Sequence, residues 1–71
     1  MIVTVKTTKA GMSNAYFESI KFGLDFEPHA DNTFDVIVHD QAMLDYVIKA
    51  CDGTILAKQD VMGMFPYGAE S

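Results

Sequence analysis

The chain has 71 residues, 49% of them apolar, and a formal net charge of −5 from ten acids and five basic side chains, all lysines. That apolar share belongs to a folded chain rather than a disordered one, and the length sets one small domain. An acidic chain without arginine argues against direct nucleic-acid binding, where Lys and Arg neutralise phosphates and Arg is the commonest base reader.

Short chains bury a smaller share of their surface, so small domains often lean on disulfides, metals or association. Cys51 is the one cysteine, so no internal disulfide can form. The expected supplement is a partner protein or a second copy of the chain. The lone cysteine, and an opening MIVTVKTTK without a basic stretch ahead of an apolar core, point to a cytoplasmic protein with no leader. No apolar run approaches the ~20 residues of a membrane span.

Ile2 to Thr8 (IVTVKTT) is β-branched and alternating, and predicts a strand. AGMSNAYFESIKFG then changes period. Tyr16, Phe17 and Ile20 share one helical face, Ser13 is the expected N-cap, and Gly23 the expected stop. With Phe22 these side chains are too many for one narrow stripe. One or two aromatics are expected to reach past it, into a wide core contact, a cover from the C-terminal tail or a dimer face.

LDFEPH and TFDVIVH alternate again and flank ADN, a turn composition. Residues opposite each other in an antiparallel pair share a face, so a one-residue slip would expose the apolar set. The pairing that avoids this sets Phe26 against Val36, Leu24 against Val38 and Glu27 against Asp35. It leaves Ala30, Asp31 and Asn32 as the loop, with Asn32 expected at positive φ. Pro28 lacks a backbone donor, so its strand belongs at an edge.

DQAMLDYVIKACDG carries the clearest helical stripe: Met43, Leu44, Val47, Ile48 and Cys51. Asp40 is the expected N-cap and Gly53 the stop. TILAKQDV predicts the last strand, Ile55 and Ala57 alternating with Leu56 and Lys58. Residues 1–61 then form a single compact α+β domain. Residues 62–71 form an apolar tail, expected to pack back on it through Met62 and Phe65, with Met64 and Tyr67 left available to a partner.

The order βαββαβ is the split βαβ, or ferredoxin-like, arrangement. It implies a four-stranded antiparallel sheet in the order 4-1-3-2 with both helices on one face. The resemblance is to an architecture alone. Such folds host metal carriers, RNA binders, ligand-binding regulators and enzymes, so they carry no function by themselves.

The chemistry-bearing residues point away from catalysis. In the expected hairpin His29 and His39 lie at opposite ends, roughly 20 Å apart, too far for one metal ion. Cys51 lies on the apolar stripe and is expected to pack as a small hydrophobe. The glycines form no phosphate loop and the serines no nucleophile elbow. No enzyme activity, metal or cofactor is expected. RNA-binding relatives of this architecture stack bases on aromatics of the central strands. Here those outward positions are Ile2, Thr4, Lys6, Asp35, Ile37 and His39, none aromatic.

The outward hairpin face is acidic. Asp25, Glu27 and Asp35 share it, with Glu27 opposite Asp35, an unfavourable like-charge pair that something must offset. Lys6, with Lys58, is the expected neutraliser. Ile2 and Ile37 supply an apolar centre and Asp31 an acidic rim. These features predict a small protein-binding module, a regulator or inhibitor that occupies a basic patch on a partner. The expected contacts are Asp25, Glu27, Asp31, Asp35, Ile37, Met64 and Tyr67. Compact acidic chains of this kind are common among phage and mobile-element inhibitors of host or defence enzymes, which act in the host cytoplasm. The alternative is a regulatory domain holding a small molecule at a homodimer interface.

Overall fold

The alternation of IVTVK builds the central strand. In a computed structural model that describes residues 1–59, β1 spans Ile2–Lys6, with Val3 and Val5 buried and Ile2, Thr4 and Lys6 turned to the other face. It is followed by α1 (Lys9–Phe22), β2 (Phe26–Pro28), β3 (Thr33–Ile37), α2 (Gln41–Cys51) and β4 (Thr54–Gln59). The strands form one antiparallel sheet in the order β2-β3-β1-β4, the ferredoxin-like α+β arrangement that the sequence predicts. The predicted tail, with Met62, Met64, Phe65 and Tyr67, lies outside the described residues, as do Asp60 and Val61 of the predicted last strand.

Val3, Val5, Phe34, Val36 and Val38 join Ala15 of α1 and Leu44, Val47 and Cys51 of α2 in one buried cluster. Both helices therefore cover the same sheet face, and the odd-numbered residues of β3 are left on the other. The hairpin register is the predicted one, Phe26 opposite Val36 and Glu27 opposite Asp35. Pro28 ends an edge strand of three residues, shorter than predicted. Its ladder continues into a backbone bond from Ile37 to Asp25 (3.0 Å), and Leu24 is drawn off into the cap of α1 by a bond to the Ser19 carbonyl (2.8 Å). In the hairpin loop both Asp31 (φ 61°) and Asn32 (φ 58°) take the left-handed conformation, where one residue was expected to.

Three local readings are corrected. The first helix starts at Lys9, capped by Thr8, whose hydroxyl accepts from the Gly11 amide at 3.0 Å, so Ser13 lies inside it and the first strand is shorter. Gly11 lies within the helix, and the position needs glycine because a Cβ there would meet the Thr7 hydroxyl and the Cys51 carbonyl. At the end of α2 the left-handed position falls to Asp52 (φ 53°) instead of Gly53. Gly53 is needed for a different reason: a side chain would strike Val5 and the Cys51 sulfur.

Face usage is the third correction. α1 buries Gly11, Ala15 and Ser19, and Tyr16, Phe17, Ile20 and Phe22 are all exposed. α2 buries Leu44, Val47 and Cys51 with Met43 and Ile48 beside them, as the stripe predicts. β4 is exposed along its whole length. Its register against β1 slips between Thr4 and Val5, so Leu56 bulges, and Ile55 and Ala57 lie on opposite faces rather than one.

An acidic depression on the helix-free sheet face

Side-chain alternation sends Asp25 and Glu27 of the β2 edge, Asp35 and Ile37 of β3, and Ile2 of β1 to the face without helices. Ile2 pairs with Ile37 across the β1–β3 ladder, and Thr4 pairs with Asp35. These side chains, with Phe26, line a depression of about 430 Å³. Its floor is the isoleucine pair and its wall on the hairpin side is carboxylate. Asp25, Glu27, Asp35 and Ile37 are thus brought together as predicted.

Asp31 is not part of the depression. It sits at the hairpin tip, where its carbonyl accepts from the Lys6 ammonium at 3.1 Å. Met64 and Tyr67 lie outside the described residues.

The like-charge pair of Glu27 and Asp35 is offset, but not by the predicted lysines. Lys6 reaches the hairpin tip instead, and Lys58 pairs opposite Val3, on the helix face, where it donates to Gln41 at 3.3 Å. The Thr4 hydroxyl donates to one Asp35 oxygen at 2.7 Å, and His29 meets the other at 3.0 Å. Thr4, then His29, hold the Asp35 carboxyl below its ordinary value of 3.8, against a smaller opposing effect of burial. Parity already carried the signal: His29 lies two residues past Glu27, on the same face and diagonal to Asp35.

Charge is therefore unevenly committed. Asp35 is occupied by Thr4 and His29, whereas among the described residues neither Asp25 nor Glu27 has an ion-pair partner. Both are exposed and point to the depression's rim. The site can accept hydrogen bonds from a cationic group at two carboxylates while its apolar stem rests on Ile2 and Ile37.

Elsewhere the chemistry is structural. Burial pushes the Cys51 thiol above its ordinary value of 9.0, the environment of an inert cysteine. Among the described residues no group of three His, Cys, Asp or Glu is placed to hold a metal ion, and no helix is long and apolar enough to cross a membrane. Compared with protein-family models, with curated proteins and with solved structures, the chain gives no significant match.

Proposed function

We propose that the protein is a small acidic binding module that regulates or inhibits a partner protein by occupying a basic patch on its surface. One observation carries this reading: Asp25 and Glu27, without ion-pair partners among the described residues, border an apolar floor of Ile2 and Ile37 on a sheet face that neither helix covers. A guanidinium or ammonium entering the depression meets carboxylates at the rim, and its methylene stem covers the isoleucines. Acid on an open face also steers a basic partner in and makes association salt-sensitive.

The test titrates an isotope-labelled sample with an arginine-rich peptide and compares the Asp25→Lys/Glu27→Lys double variant, which spares the Asp35 network. Amide shifts should concentrate at Ile2, Asp25, Glu27 and Ile37. The variant should bind at least tenfold more weakly, the loss expected when two charge-assisted contacts are reversed. Equal affinity for the variant, or shifts spread evenly over the surface, rejects the reading.

A further inference from the structure

The two edges of the sheet are built differently. The β2 edge has three residues, carries Glu27 and ends on Pro28, and a short, charged edge with a proline resists pairing with another strand. The β4 edge has six residues, Thr54–Gln59, with no proline and no acid. Its one charged side chain, Lys58, donates to Gln41 at the start of α2 (3.3 Å). Among the described residues no strand lies beyond β4, and the buried cluster contains none of its side chains. Ile55 is 39% exposed and Leu56 56%. A long edge of this kind is a template for a further strand.

We propose that the further strand is β4 of a second copy, paired antiparallel across a two-fold axis normal to the sheet. Two observations choose this occupant. The first is charge. Two chains of net charge −5 repel, and the sheet's acids are Asp25 and Glu27 at the β2 edge and Asp35 in β3, so β4 is the edge at which copies meet without opposing carboxylates. The second is the bulge. Thr54 lies opposite Lys6 and Gln59 opposite Ile2, on the helix-free face, whereas Ile55 lies opposite Val5 and Lys58 opposite Val3, on the helix face. The extra residue, Leu56, shifts the phase between these two halves. Full overlap of two β4 strands therefore sets Thr54 against Gln59 and Ile55 against Lys58, each pair on one face, as antiparallel pairing requires. An unbulged strand would match faces on one side of Leu56 only. A second copy brings the same bulge.

Both helix layers then lie on one side of a continuous eight-stranded sheet, and both acidic depressions on the other. Five strand spacings of ~4.8 Å set the two β3 strands roughly 24 Å apart. At the junction Ile55 of each copy rests against the Lys58 stem of the other, and Leu56 lies beside Ala57. The pairing does not depend on what the depression binds.

The test uses the full chain. Sedimentation over rising concentration should show a monomer–dimer equilibrium, with the β4 amides exchanging more slowly as the dimer forms. An isotope-filtered spectrum of mixed labelled and unlabelled chains, which keeps only contacts between copies, should join Ile55 to Lys58. Ile55→Lys sets like charges opposite each other twice in the dimer and should raise its dissociation constant roughly tenfold. Lys58→Glu added to that variant should restore the affinity, a recovery that a misfolded chain would not show. A chain still monomeric at millimolar concentration overturns the proposal, as does a dimer whose filtered contacts run through Phe17 and Ile20 of α1. It also falls if the double variant fails to recover the dimer. Slow exchange of β4 already complete in the monomer overturns it too, because the edge is then occupied by residues of the same chain.

Discussion

The two helices use their sequences in opposite ways. α2 obeys its pattern: Leu44, Val47 and Cys51 are buried and its polar residues face out. α1 inverts the usual rule, burying Gly11, Ala15 and Ser19 and displaying Tyr16, Phe17 and Ile20. The reason lies where the helices meet. The Gly11 backbone comes up against Thr7 and the last turn of α2, and the Asn14 amide bonds the Ala50 carbonyl at 3.4 Å. The Glu18 carboxylate accepts from the Tyr46 hydroxyl at 3.1 Å further along. Close approach leaves no room for a side chain at Gly11, whereas further along the same seam the helices are far enough apart for Phe22 and Tyr46 to meet edge to face at 5.3 Å. Hydrophobicity thus locates a buried face only when the neighbouring element leaves room for it.

The largest expected effect contrasts the two helices directly. Leu44→Ala should cost about 2–5 kcal/mol, as for a filled core position. Ile20→Ala should cost less than half as much in parallel urea titrations. Equal costs would break the contrast and show the outer face of α1 to be as enclosed as the core.

Next comes the sign at Gly11. In an exposed helix interior Gly→Ala stabilises by roughly 0.5–1 kcal/mol. Here Gly11→Ala should instead destabilise by about 1–3 kcal/mol, because the methyl group has to displace Thr7 and the end of α2. A gain in melting temperature would mean that the helices are not in close contact there.

A smaller effect sharpens where α1 begins. Thr8→Ala should cost about 1 kcal/mol by removing the cap, whereas Ser13→Ala, inside the helix and exposed, should be neutral or slightly stabilising. Reversed effects in thermal melts would move the helix start back to Ser13.

The smallest effect leaves both helices alone and serves as their control. The carboxyl of Asp35 is lowered in the folded state, so its contribution is fully present above the ordinary value of 3.8. As pH falls from there through the lower folded value, that contribution is lost. Urea midpoints should drop across this acid window, and Asp35→Asn should flatten the drop. An unchanged acid limb in the variant would show that Thr4 and His29 contribute nothing through it.

Much of this protein was legible before its structure. Alternation in IVTVK, DFEP and TFDVI determined which side chains share a face, because a strand turns by half a revolution per residue whatever surrounds it. That parity set the hairpin register, the βαββαβ order and the gathering of Asp25, Glu27, Asp35 and Ile37 beside Ile2. The stripe of α2 was equally readable, because its large apolar residues and its buried face coincide.

The tertiary structure alone decided the rest. The side of α1 that turns inward depended on how closely α2 approaches, a distance no single element encodes. The exposure of β4 goes with its place at the sheet edge beyond β1, and nothing in its own alternation marks the bulge at Leu56. The contacts to the Asp35 carboxylate went to His29 and Thr4 because flexible lysines have many destinations, whereas residues on neighbouring strands are held within reach. Periodicity is a property of the chain, but the choice among chemically competent partners is made only when the elements are brought together.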